Sequence, residues 1–115
     1  HQLDSFASSL PNSYKQIIAI TRALASNPKV LLFDEVFSPL DKSLQVQLLG
    51  KIRDICKNKT LILVTHDLRI SKNFDQILVM HEGAIAGFAT HKELIENNVI
   101  YKDLWKLDQF SEETN

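Results

Sequence analysis

The sequence predicts an α/β fold, on three observations. Two short all-apolar runs, Val30-Leu31-Leu32-Phe33 and Leu61-Ile62-Leu63-Val64, read as strands buried on both faces of a parallel sheet. Between them, residues 42–57 carry leucine and isoleucine at helical spacing, so strand, helix and strand follow as in a parallel crossover. Two later apolar segments, 76–80 and 85–88, flank a tight turn and predict an antiparallel hairpin.

In chain order, Leu10-Pro11-Asn12 reads as a turn, and residues 13–26 as a helix with Ile17, Ile20 and Leu24 on one face. Asn27-Pro28 stops it, because proline cannot continue a helix and restricts the residue before it. In the second helix, Leu44, Leu48, Ile52 and Ile55 form the apolar stripe, the first three being core residues, and Asp41 caps the start. His81-Glu82-Gly83-Ala84 makes the hairpin turn. Thr90-His91-Lys92-Glu93 is a capping box opening a helix to about Glu96. An amphipathic stretch over 100–107 carries Tyr101, Leu104, Trp105 and Leu107, the first three covering a core, and 109–115 form a polar, frayed tail.

At 115 residues, the length predicts one domain. With 13 Lys+Arg against 14 Asp+Glu, the formal charge of -1 carries no electrostatic signature of nucleic-acid binding. The lone Cys56 cannot form an internal disulfide, which fits a reducing compartment. The apolar runs are far shorter than the roughly 20 residues a membrane-spanning helix needs, and no signal-peptide pattern opens the chain. A first residue of His1 rather than Met points to removal of something upstream. These features together describe a soluble, intracellular, one-domain piece.

The chemistry concentrates at the strand ends. Asp34 and Glu35 follow the first apolar run directly, at the carboxyl edge where open α/β sheets bind ligands. Asp34 can hold a hydrated Mg²⁺, a hard cation that prefers carboxylate and water oxygens. Glu35 can orient and deprotonate a water. The alternative is that both acids merely solvate a strand end, and the acid pair alone is only suggestive. The second run, however, ends in Thr65-His66-Asp67, and parallel pairing puts His66 on the same edge, able to bond a phosphate oxygen. His1, His81 and His91 lack metal-ligand spacing and read as surface or loop residues.

These residues together resemble the carboxyl-terminal half of an ATP-binding cassette (ABC) ATPase domain of the exporter type. Residues 30–35 match the Walker B strand with its glutamate, and Ser38-Pro39-Leu40-Asp41 match the D-loop. Thr65-His66-Asp67 resembles the switch-histidine loop, and residues 16–24 are similar to the family's QRIAIARAL helix. Residues 77–83 followed by Thr90-His91-Lys92-Glu93-Leu94 resemble the late hairpin and GTHEEL segment, with Ala89 where glycine is usual. Residues 100–105 are similar to the exporter tail. The resemblance implies part of a P-loop NTPase-like (RecA-like) core spanning residues 1–115, with parallel strands and a late β-hairpin.

By the same resemblance, Glu35 and His66 are catalytic, Asp34 serves Mg²⁺ through water, and Ser38 and Asp41 lie beside the nucleotide, Asp41 communicating across a dimer. ATP and Mg²⁺ are the implied cofactors. The implied partners are a transmembrane domain or subunit and a second nucleotide-binding domain, with no nucleic acid. The implied location is the cytoplasmic face of the cell membrane, and the implied function is ATP hydrolysis energising transport. A degenerate, non-catalytic paralogue that regulates an intact ATPase, and a soluble ABC ATPase outside transport, are the alternatives.

Two departures stand out. No G-x-x-x-x-G-K-[ST] occurs in these residues, so the phosphate cradle is missing, the chain alone binds ATP poorly, and some apolar surface is left exposed. The LSGGQ signature, read without gaps, falls on Leu10, Pro11, Asn12, Ser13 and Tyr14, where side chains stand in place of the two glycines. In a second alignment residues 1–14 resemble the exporter segment preceding the signature, HxFIxxLPxGY, and the signature itself is absent between Tyr14 and Lys15. The second keeps more matches.

Overall fold

A computed structural model describes residues 12–114, and the chain divides into two units, His1–Val64 and Thr65–Asn115. That division falls inside the single domain predicted from length. Each unit has its own two-stranded sheet, one parallel and one antiparallel.

In the first unit, helix α1 spans Asn12–Ala25. Asn27 ends it in the left-handed region at φ 53°, its amide donating to Leu24 O at 3.1 Å before Pro28 leads the chain away. Strand β1, Val30–Asp34, pairs in parallel with β2, Thr60–Val64, from Val30 opposite Thr60 to Asp34 opposite Val64. Between them runs α2, Lys42–Ile55, capped as expected by Asp41. The strands are not buried on both faces. Leu31 is 3% and Phe33 5% exposed, whereas Leu32 is 65% exposed, because in this unit only one face of the sheet is packed. Val30, Leu32, Ile62 and Val64 form the open apolar face. The buried stripe of α2 also differs from the predicted one. Leu49, Ile52 and Cys56 are buried, Leu44 and Leu48 only half-buried, and Ile55 points outward. The stripe is therefore rotated by about one residue, a phase that leucines on both flanks conceal.

The second unit starts with a single helical turn, α3, Leu68–Ser71. The hairpin of β3, Ile77–His81, and β4, Ala84–Ala89, turns through Glu82 and Gly83, both at positive φ (49° and 77°) as a two-residue hairpin turn of this twist requires. Helix α4, His91–Asn97, has Thr90 as its cap, with Glu93 N donating to Thr90 Oγ1 at 3.2 Å. Helix α5 runs from Val99 to Thr114. It passes well beyond the 100–107 expected, and the tail is helical as far as Thr114; no proline or glycine after Val99 interrupts it. Ile77, Val79, Leu94 and Tyr101 form the core of this unit.

Asn98 joins the two helices to the hairpin. Its Nδ2 donates to Ala86 O at 2.9 Å, and its Oδ1 accepts from Tyr101 N at 2.9 Å. A Cβ on Gly87 would stand 2.6 Å from that Nδ2 and 3.1 Å from Leu94 Cδ2. Because both ends of the Asn98 amide are held, Gly87→Ala is expected to lower stability by about 1–3 kcal/mol, as overpacking does. Urea unfolding followed by the fluorescence of Trp105 checks this; an unchanged midpoint contradicts it.

Candidate functional site

The parallel ladder brings the two strand ends level, and the ladder continues one residue further. Glu35 N donates to Val64 O at 2.9 Å. Glu35 itself sits at φ 54°, a left-handed conformation that costs a residue other than glycine on the order of 1–3 kcal/mol. The Val64 bond holds it from one side. On the other, Ser38 returns to the Glu35 carbonyl through its amide at 3.4 Å and its Oγ at 3.2 Å. The chain is thereby turned sharply out of the strand. Asp34 is left exposed at the strand end, while Glu35 is half-buried with its Oε1 shielded from solvent.

Residues 37–41 then form a turn that buries two of its apolar side chains. Phe37 and Leu40 are buried, while Ser38, Pro39 and Asp41 are exposed. Asp41 Oδ1 accepts from Leu44 N at 2.8 Å, so the residue is the helix cap that sequence predicted as well as the end of the turn. Gln45 was missed by sequence reasoning. Its Nε2 donates to Phe37 O at 2.7 Å and to Leu40 O at 2.9 Å. No sequence signal marked it, because the buried stripe of Leu49, Ile52 and Cys56 that it continues emerges only in the fold.

Asp34, Glu35, Ser38 and Asp41 thus all lie in the first unit, at the end of β1 and along the turn that follows it. His66 belongs to the second, where its loop is tied down by the next residue. Asp67 N donates to Thr65 Oγ1 at 3.0 Å, and Asp67 caps α3 by accepting from Arg69 N at 3.0 Å. It also receives the Arg69 guanidinium at 3.0 and 2.8 Å, a bidentate pair. The His66 residue is exposed.

His91 is not the surface residue expected. Its Nδ1 shares a 2.8 Å hydrogen bond with the hydroxyl of fully buried Tyr101, and its ring lies 4.8 Å from that of Trp105. Burial, aided by the charge of Lys72, holds its pKa below the ordinary imidazole value, while burial raises that of Tyr101. His91 therefore serves packing.

Comparison with known proteins locates this arrangement. No protein-family model matches the chain. The leukotoxin translocation ATP-binding protein LktB of a Pasteurella haemolytica-like species (strain 5943B) is 43% identical over 89 residues, 77% of this chain and 13% of its own length. The alpha-hemolysin translocation ATP-binding protein HlyB of Escherichia coli is 41% identical over 99 residues, 85% of this chain and 14% of its own. The solved structure of a bacterial Atm1-family ABC exporter with ATP bound superposes with a TM-score of 0.79 at 29% identity, over 91% of this chain and 21% of that one. The chain's homologues are ABC exporter ATP-binding proteins.

The chain spans about one seventh of the length of these curated ABC relatives. ABC ATPases use ATP with magnesium. Among the described residues no three His, Cys, Asp or Glu side chains stand close enough to enclose a metal ion. Mg²⁺ does not need such a cage, because it keeps several waters and is held by one or two carboxylates plus substrate phosphates. The single exposed carboxylate of Asp34 fits that role. At the ABC signature region, Leu10 and the side chain of Ser13 lie outside the described residues. Asn12 opens α1 rather than ending a turn, and Tyr14 is exposed within it. Helix α1 runs unbroken through Tyr14 and Lys15, so both alignments of the signature stay open.

The left-handed conformation of Glu35 can be weighed separately from its side chain. Glu35→Ala and Glu35→Gly both remove the carboxylate, and only the second removes the Cβ that makes positive φ costly. Glu35→Gly is therefore expected to be the more stable of the two by about 1 kcal/mol. Denaturant unfolding of the pair measures the difference; equal or reversed stabilities contradict the reading.

Proposed function

We propose that residues 1–115 are the carboxyl-terminal part of the ATP-hydrolysing domain of an ABC exporter, a partial P-loop NTPase-like core. The observation that carries this reading is Glu35, held at φ 54° at the end of a parallel strand by its bond to Val64 O. Strained backbone at a strand end is a functional expense that folding alone does not require. Here it turns the chain out of the strand at a half-buried glutamate that directly follows the exposed Asp34.

In this reading Glu35 holds and deprotonates the water that attacks the terminal phosphate. Asp34 would hold Mg²⁺, which when bound neutralises charge on the phosphate oxygens. His66 hydrogen-bonds the terminal phosphate from a loop fixed by the Asp67–Arg69 pair. Ser38 and Asp41, exposed on the turn, face the nucleotide and a second ATP-binding domain. The phosphate cradle comes from outside these residues, since they contain no phosphate-binding loop sequence. No helix among the described residues is long and apolar enough to cross a membrane. As in the ABC exporters it resembles, a membrane-spanning domain or subunit would carry the substrate, with this piece at the cytoplasmic face of the membrane.

Two experiments bear on the proposal. Calorimetric titration of the 115-residue chain with Mg-ATP is expected to give a Kd weaker than roughly 10 μM, about -7 kcal/mol, and tighter binding would contradict dependence on an external cradle. When the chain is joined to an upstream half bearing the phosphate loop and a working signature, Glu35→Gln is expected to keep ATP binding and slow hydrolysis by on the order of 10²–10⁴. Turnover within about threefold of the parent would reduce Glu35 to a solvated strand end. Failure of the unsubstituted protein to hydrolyse ATP it still binds would favour a regulatory paralogue.

A further inference from the structure

We propose that Gln45 is the positioning residue of the turn 37–41, holding Ser38 and Asp41 in place through two hydrogen bonds from one side-chain amide. The consequence for hydrolysis rests on the function proposed above; the hold itself does not.

The turn has few ways to fix its own shape. Glu35 is anchored to Val64, and Asp41 is anchored as the cap of α2. Between those anchors the backbone bonds are short-range: Ser38 N to Glu35 O at 3.4 Å and Leu40 N to Phe37 O at 3.0 Å. The carbonyls of Phe37 and Leu40 accept from α2, where Gln45 Nε2 donates to them at 2.7 and 2.9 Å. Phe37 O then accepts twice, from Leu40 N and from Gln45 Nε2. The Gln45 backbone amide donates to Asp41 O at 2.9 Å, so one residue grips the turn at three carbonyls.

Chemistry restricts the side chain that can do this. Both facing groups are carbonyl oxygens, so two donors are needed, and an amide supplies them without bringing a charge. A glutamate has the same shape and presents only acceptors when ionised. An asparagine is shorter by one carbon–carbon bond, about 1.5 Å, and cannot reach both oxygens from the helix. The site is also half-buried on the helix stripe that Leu49, Ile52 and Cys56 continue, where an apolar residue would pack. A polar residue there has a partner to serve, and the partner is the turn carrying Ser38 and Asp41.

The 115-residue chain itself provides the test, by nuclear magnetic resonance and amide hydrogen exchange. In the parent, the side-chain amide protons of Gln45 are expected to exchange at least about tenfold more slowly than those of exposed Gln47; equal rates overturn the proposal. Gln45→Glu and Gln45→Met both remove the donors. Each is expected to speed exchange of the Leu40 amide by about tenfold at neutral pH, with the β3–β4 ladder unchanged within about twofold. The two variants then separate on acidification. The introduced carboxyl faces two carbonyl oxygens, so its charged form is disfavoured and its pKa rises above the ordinary value of about 4.3. Once protonated it again donates one hydrogen, and Leu40 protection recovers as pH falls through that raised pKa; Gln45→Met shows no such recovery. Unchanged Leu40 exchange, or identical pH profiles in the two variants, overturns the proposal. In the protein joined to its phosphate-binding half, Gln45→Glu is expected to lower kcat about tenfold with KM for ATP within about twofold. Faster Leu40 exchange with unaltered hydrolysis would leave the hold standing and remove Ser38 and Asp41 from the reaction.

Discussion

The parallel register of Val30–Asp34 on Thr60–Val64 constrains the rest of the first unit. Parallel strands finish at the same edge, so the acid-bearing end of β1 lies level with the end of β2. The ladder is carried past Asp34 by the Glu35 amide on Val64 O, and that extra bond holds Glu35 in a conformation it would otherwise leave. Turning out of the strand there leaves room for Phe37 and Leu40 to bury while Ser38, Pro39 and Asp41 stay in solvent. Asp41 can then begin α2 at once, and α2 returns Gln45 to the turn that preceded it. The unit is a closed circuit of strand end, turn, cap and helix stripe, each fixing the next.

The second unit is organised by buried polar partners. Tyr101 is wholly buried and finds His91 at 2.8 Å and Ser71 at 3.4 Å, which satisfies its hydroxyl where no solvent reaches. Asn98 serves both hairpin and helix through one side chain, and Gly87 is what permits its approach. Here the polar groups fix angles between elements that an apolar core of four residues would leave loose. His66 opens the same unit on a loop that Asp67 and Arg69 stiffen, so its own exposure does not imply freedom of its backbone.

Much of this could be read in the chain. Asn27-Pro28, the Glu82-Gly83 turn, the Asp41 cap and the Thr90–Glu93 box all act within a few residues, where local chemistry decides. Asp34 and Glu35 were legible because an apolar strand delivering two acids is a pattern in itself. The face of α2 was not, because leucine and isoleucine occur on several faces and periodicity alone left its phase open. Gln45 was invisible for a related reason: a glutamine in a helix signals nothing until its partners, five and eight residues back, are folded under it. His91 looked like a loop histidine because Tyr101 and Trp105 reach it only when α5 folds beside α4.

By itself the sequence determined the order and type of the longer elements, the parallel crossover and the late hairpin, but not the single helical turn Leu68–Ser71. It also placed two adjacent carboxylates at a strand end, since apolar period, caps and turn residues act over short separations. Tertiary structure alone decided that the sheet of the first unit keeps one face of Val30, Leu32, Ile62 and Val64 open. It decided equally that Glu35 is strained rather than merely terminal, and that Gln45 and His91 have structural partners. These outcomes depend on which surfaces meet after the elements form, and on hydrogen bonds between groups whose separation in the chain carries no periodic signal.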